Sequence, residues 1–156
     1  MNSSKQAVLD LLWNEPCKIG HWVGFKDLTA LHNEWLRSFL YAEKDQTLLA
    51  HRGSYKTTDL SLFLAIHTVI DPNENVMFFR KTDDDVTEVL VQTQKILKAG
   101  CMQQIVQTLY GTDLQFLKEN NSEIHTNLCT STKGVSQVVG LGIGTSITGK
   151  HADIVV

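Results

Sequence analysis

Several protein classes need features that this chain lacks. Its three cysteines, Cys17, Cys101 and Cys129, are an odd number and far apart, with no C-x-x-C pair. That pattern suggests neither a disulfide framework nor a zinc site and predicts reduced thiols. No apolar run approaches the ~18 residues of a membrane-spanning helix, and the N-terminus lacks the basic-then-apolar order of a secretory signal. The expected location is the cytoplasm, with no membrane partner. Excess positive charge is missing too: 14 Lys and Arg against 17 Asp and Glu leave a net charge of −3. A protein that wraps nucleic acid by charge alone is thereby excluded, and any DNA contact has to be local. Two prolines and no low-complexity tract argue against disorder. What remains is 156 residues at 42% hydrophobic content, one domain's length of ordinary globular protein.

Hydrophobic spacing divides this length. Ala7, Val8, Leu11 and Leu12 share a helical stripe within Ser4 to Asn14. Glu15 to Lys26, with Pro16, Gly20 and Gly24, reads as loop; Leu28, Leu31, Trp35 and Phe39 then predict a second helix ending near Lys44. Residues 1–45 are thus an N-terminal helical segment, and 46–156 an α/β core within one overall domain. Thr47 to His51 reads as a short buried strand, Thr57 to Ile70 as a helix apolar on most sides, and Asn75 to Arg80 as the next strand. Thr82 suits the cap of a helix whose first turn, Asp83 to Asp85, compensates the helix dipole, and Gly100 suits its C-cap.

Alternation of strand and helix predicts a mostly parallel sheet with right-handed crossovers. Gln103 to Tyr110 and Asp113 to Lys118 read as short helices or turns. Glu123 to Thr126, Ser136 to Ile143 and Ala152 to Val156 read as strands. Gly140, Gly142 and Gly144 alternate with apolar residues, the pattern of a strand with one bare face against which another element packs. Arg80-Lys81 at a strand's end suits either a ligand- or DNA-facing pair or a solvated loop. The histidines (His21, His32, His51, His67, His125 and His151) show no ligand spacing, and none is assigned a role.

Two stretches approach the phosphate-loop pattern G-x-x-x-x-G-K-[ST]. Gly144 to His151, GTSITGKH, matches every fixed position but the last. Such a loop also needs a helix beginning at its lysine, because free N-terminal amides and the dipole hold the anion. Here the β-branched ADIVV follows, so the stretch reads as a connection between strands. Ala50 to Thr57, AHRGSYKT, has Ala50 and Tyr55 in place of both glycines but has the right context, strand before and helix after. The candidate nucleotide site is therefore Arg52, Gly53, Ser54, Tyr55, Lys56, Thr57 and Thr58. Lys56 would reach the terminal phosphates, Thr57 would ligate Mg²⁺, and the loop amides would line the cradle. Lys-Thr-Thr after Arg-Gly-Ser is also ordinary helix-start chemistry.

LLAHRGSYKTT (residues 48–58), NENVMFFRKTDDDVTEVL (73–90) and GLGIGTSITGKHADIVV (140–156), in that order, resemble the ATPase domain of the large terminase subunit of tailed bacteriophages and prophages. The Walker A loop of that family is commonly irregular, often with an arginine ahead of the lysine, which Arg52 and Lys56 match. The resemblance implies a P-loop NTPase-like three-layer core, ATP and Mg²⁺ as ligands, and a bacterial host's cytoplasm. Double-stranded DNA, a small terminase subunit and a portal are the implied partners.

In similar terminases HADIVV corresponds to the Walker B strand, and the catalytic carboxylates lie immediately after it. With Val156 last, and Asp153 too early to be that acid, the resemblance implies a core truncated after Walker B that binds nucleotide at best and does not hydrolyse it. The strand after Walker B normally inserts beside the Walker A strand. An open sheet edge, with rearranged strand order or self-association, is the structural expectation. The other readings are a non-catalytic prophage remnant or protein-interaction module, and a helicase-like P-loop ATPase.

Overall fold

Residues 3–145 and 151–156 are described in the computed structural model of the chain. Three helices come first, α1 (Ser3–Asn14), α2 (Cys17–Trp22) and α3 (Ala30–Tyr41). A helix leaves its last carbonyls without intrahelical donors. For α1 the side chains of α3 supply them: Tyr41 Oη donates to Leu12 O at 2.7 Å, Arg37 Nε to Trp13 O at 2.8 Å and Asn33 Nδ2 to Asn14 O at 2.9 Å. The stretch expected to be loop between the first two helices contains α2. Its Ile19 is fully buried, and Gly20 lets Leu28 and Leu62 approach so closely that a Cβ there would lie 2.4 Å from one of them.

Helix α4 (Lys56–Ile70) is central. Nearly every residue from Thr58 to Val69 is buried, and α5 (Asp83–Lys98) and α3 are its main neighbours. The order continues with β1 (Val76–Arg80), α5, α6 (Gly100–Tyr110), β2 (Phe116–Glu119), β3 (Glu123–Thr126), β4 (Val138–Gly142) and β5 (Ile154–Val155). The strands form one sheet in the order β2-β3-β4-β1-β5. β1 runs parallel to both β4 and β5, with Val76 opposite Val138 and Ile154.

Gly140 and Gly142 behave as their spacing predicts, while Gly144 lies beyond β4 with nothing packed against it. A Cβ on Gly140 would stand 2.5 Å from Val86 Cγ1, and one on Gly142 would stand 2.3 Å from Asp83 Oδ1. The bare face of β4 is where α5 beds down.

Five further sequence expectations are corrected. The sheet is mixed rather than mostly parallel, because β2 pairs antiparallel with β3, and β3 with β4. Asp113 to Lys118, expected to be helix or turn, leads into β2, which is set by a turn in which Asn120 Oδ1 accepts from the amides of Ser122 and Glu123. Gly100 opens α6 instead of capping α5; Ala99, extended at ψ 145°, serves both helix ends.

The fourth correction concerns layers. Among the described residues all six helices feed one core cluster on one face of the sheet. On the other face the buried apolar cluster is small, Met77, Val139 and Leu141 with Phe79 and Ala152, and no helix among the described residues joins it, so two layers replace the expected three. The fifth is Thr47 to His51, which is not a strand. An extended run becomes a strand only where a neighbour takes its ladder bonds. Both flanks of β1 are occupied by β4 and β5, Leu49 stands 90% exposed, and the carbonyls of Ala50 and His51 accept from a lysine instead.

Candidate phosphate-binding site

After residues 45–51, which form no regular element, the chain turns through Arg52–Ser54 and enters α4 at Lys56. Two left-handed residues make this turn: Gly53 at φ 83°, and Tyr55 at φ 55°, ψ 19°, which is the N-cap of α4. Among the described residues Tyr55 is the one non-glycine with positive φ. Left-handed backbone costs a side-chain-bearing residue about 1–2 kcal/mol, so surrounding structure must hold it there. Position 55 is also where the phosphate-loop pattern places its second glycine. Tyr55 thus adopts the backbone that the pattern requires without being the residue that adopts it easily.

The side chains complete a cradle. Lys56 Nζ curls over the loop and donates to Ala50 O and His51 O, both at 2.6 Å. Ser54 Oγ donates to the same His51 carbonyl at 2.7 Å. The first intrahelical bond of α4 is from Asp59 N to Tyr55 O at 2.9 Å, leaving the earlier amides of the helix without acceptors inside it. A cavity of about 580 Å³ opens here, lined by Arg52, Gly53, Ser54, Tyr55, Lys56, Thr57 and Arg80.

Six of the seven candidate residues therefore meet in one place; Thr58, 8% exposed, turns into the protein interior. Arg80, left open between a ligand and a solvated role, is the residue the structure adds. It ends β1, so the cavity lies at the carboxyl ends of the parallel strands, where open α/β sheets commonly hold ligands. Among the described residues three cations and no carboxylate line it. That set, with free helix amides, fits an anion of several charges. The Thr57 hydroxyl is the lining group suited to a cation carried on such an anion.

The other phosphate-loop match does not reach this cavity in the described residues. Gly144 has φ 104°, and Ser146, Ile147, Thr148, Gly149 and Lys150 lie outside the described residues. His151 lines a separate cavity of about 550 Å³ on the opposite face, with Lys118, Glu123, His125 and Lys133. Asp153 accepts from the Asn75 amide at 3.0 Å and from Lys133 Nζ at 2.7 Å, bonds that hold its carboxyl below the usual carboxylate range. Of the acidic run, Asp83 sits over Gly142, and Thr82 Oγ1 accepts from Asp85 N at 3.1 Å as the expected cap.

Two features of α4 escaped sequence reasoning. Asp59 is fully buried with neither carboxylate oxygen hydrogen-bonded, and burial pushes its carboxyl up to about 7. The neighbouring Cys17 thiol is pushed up to about 11, by burial first and then by Asp59. At the far end His67, 3% exposed, places Nε2 3.3 Å from Glu74 Oε2, and the ligating atoms of His67, Asp71 and Glu74 lie within 4.8 Å of one another. Burial lowers the His67 pKa, against the opposing pull of Asp71 and Glu74. The signal was the spacing H-x₃-D-x₂-E, hidden because Pro72 interrupts it after the helix ends. Neither a family model, nor a curated protein, nor a solved structure matches the chain.

Proposed function

We propose that Arg52–Thr57 with Arg80 binds the phosphate chain of a nucleoside triphosphate, ATP with Mg²⁺ on Thr57, in a protein of the phage terminase ATPase type. The observation that carries this reading is the backbone at Tyr55. A tyrosine held left-handed one residue ahead of Lys56, beside three cations and free helix amides, is backbone strain of the kind that surrounding structure maintains at ligand sites. The resemblance of the three sequence blocks supplies the nucleotide and the packaging role; the geometry supports the phosphate part. Bound nucleotide would bring its own adenine chemistry and metal. This chain's residues would neutralise the phosphates, with Lys56 leaving the Ala50 and His51 carbonyls to meet them. Among the described residues none that lines the cavity is a carboxylate that could orient attacking water, and the activity we propose for this site is binding without turnover.

Thermal denaturation with Mg-ATP tests it. At ~100 times its dissociation constant a ligand adds about 2.7 kcal/mol, several degrees in melting temperature for a domain of this size. The expected result is that shift in the native chain and about a third of it in Lys56→Ala at the same nucleotide concentration. Equal shifts in both, or none in the native chain, contradict the site. Steady release of phosphate from ATP contradicts the absence of turnover.

A further inference from the structure

We propose that Tyr55 latches the phosphate loop to the N-terminal helices, so that polyphosphate affinity is set in part by Asp27 and His32, residues that do not line the cavity. The inference rests on the phosphate-binding reading above and adds what holds the loop in shape.

A glycine at position 55 would take the left-handed backbone without help; a tyrosine there needs outside contacts. Two are present. Tyr55 Oη donates to Asp27 Oδ2 at 3.0 Å, across 28 residues of sequence, and the Tyr55 ring meets His32 edge-on, with centroids 5.9 Å apart and planes at 85°. His32 is itself fixed. The Thr29 amide donates to its Nδ1 at 2.9 Å, Trp35 meets it edge-on with centroids 5.1 Å apart, and the residue is buried in the first turn of α3. Helix α3 in turn packs along α4, the helix the loop opens. A closed mechanical loop results: α3 holds Tyr55, Tyr55 sets the turn, and the turn sets where the α4 amides and Lys56 point. The permissiveness that glycine gives a phosphate loop is replaced by a tertiary contact. Any partner that moves the Asp27–His32 segment therefore reaches the site.

A double-mutant cycle on the full chain tests the latch, with Mg-ATP affinity read by titration calorimetry. Asp27→Ala is expected to weaken binding about fivefold in the native background, the effect of one hydrogen bond of ordinary net strength. In a Tyr55→Gly background, where the backbone no longer needs holding, the same change is expected to do nothing. Equal losses in both backgrounds, or none in the native one, overturn the latch. A second reading needs no nucleotide: amide hydrogen exchange over residues 52–58 is expected to quicken in Asp27→Ala and in Tyr55→Phe, both exposed changes that leave the core intact. Unchanged exchange overturns the latch even where nucleotide binds. Quickened exchange in a chain that never binds Mg-ATP overturns the phosphate reading and leaves the latch standing.

Discussion

Helices α4 and α5 lie against each other and carry opposite relations between charge and dipole. α5 follows the electrostatic rule: Asp83, Asp84 and Asp85 occupy its first turn, and Lys95 and Lys98 its last. α4 inverts it. Lys56, Arg52 and Arg80 gather at its positive pole, while Asp71 and Glu74 sit exposed at its negative pole. The two groups that would complement the α4 dipole, Asp59 and His67, are buried, and burial pushes each toward its neutral form. A helix whose end charges match its dipole is complete in itself; one whose exposed charges oppose it gains by meeting an outside ion. The difference marks α5 as self-complemented scaffold and supports the proposal of an anion at the N-terminal end of α4.

The largest effect that can sharpen this contrast concerns Asp59. Its folded-state pKa of about 7 stands above the ~3.9 of an unfolded aspartate, so the folded chain keeps a proton that the unfolded chain has lost. Stability therefore falls as pH rises from about 4 to about 7 and levels off above that. Asp59→Asn removes this dependence, and urea denaturation is expected to show it roughly 2–4 kcal/mol more stable than the native chain at pH 8 and nearly equal at pH 4. A difference independent of pH contradicts the buried, unpartnered state.

Next in size is Lys56→Ala. Loss of a charged contact to phosphate is expected to weaken Mg-ATP binding about 30-fold, with the unliganded melting temperature nearly unchanged. In the scaffold, Gly140→Ala drives a methyl into Val86 and Phe78 and is expected to cost about 1–3 kcal/mol in urea denaturation. Nucleotide affinity of the folded fraction is expected to stay the same. If that change instead altered affinity as strongly as Lys56→Ala, the division between scaffold and site would fail.

The smallest effect is a difference of sign. Asp84→Asn, removing a charge that suits the α5 dipole, is expected to destabilise by about 0.3–1 kcal/mol, while Asp71→Asn at the wrong pole of α4 is expected to stabilise by a similar amount. Thermal melts at low ionic strength resolve the two, and equal signs break the comparison.

Local chemistry made part of this legible in the sequence. Thr82 with its acidic run, the apolar length after Lys56 and the alternating glycines of β4 each specify their element through neighbours a few residues away, and each appears close to where spacing puts it. What spacing could not show is pairing. Thr47 to His51 has the composition of a strand, yet no partner strand takes its ladder, and its carbonyls turn to Lys56. β2 was read as helix or turn because four residues carry little periodicity until β3 fixes their register.

The site divides in the same way. Of the loop's expected context the helix opening at Lys56 is present and the preceding strand is not. Arg80 joins it only through the path of β1, and the tie from Tyr55 to Asp27 depends on where the N-terminal helices settle.

The most direct test of the central claim is backbone amide NMR of the labelled chain titrated with Mg-ATP. The account predicts that the amides of Gly53, Tyr55, Lys56 and Thr57 shift first and furthest, saturably, and that in Lys56→Ala the same shifts need about 30 times more nucleotide. Shifts confined to other surfaces, or a spectrum unchanged at millimolar nucleotide, would contradict it.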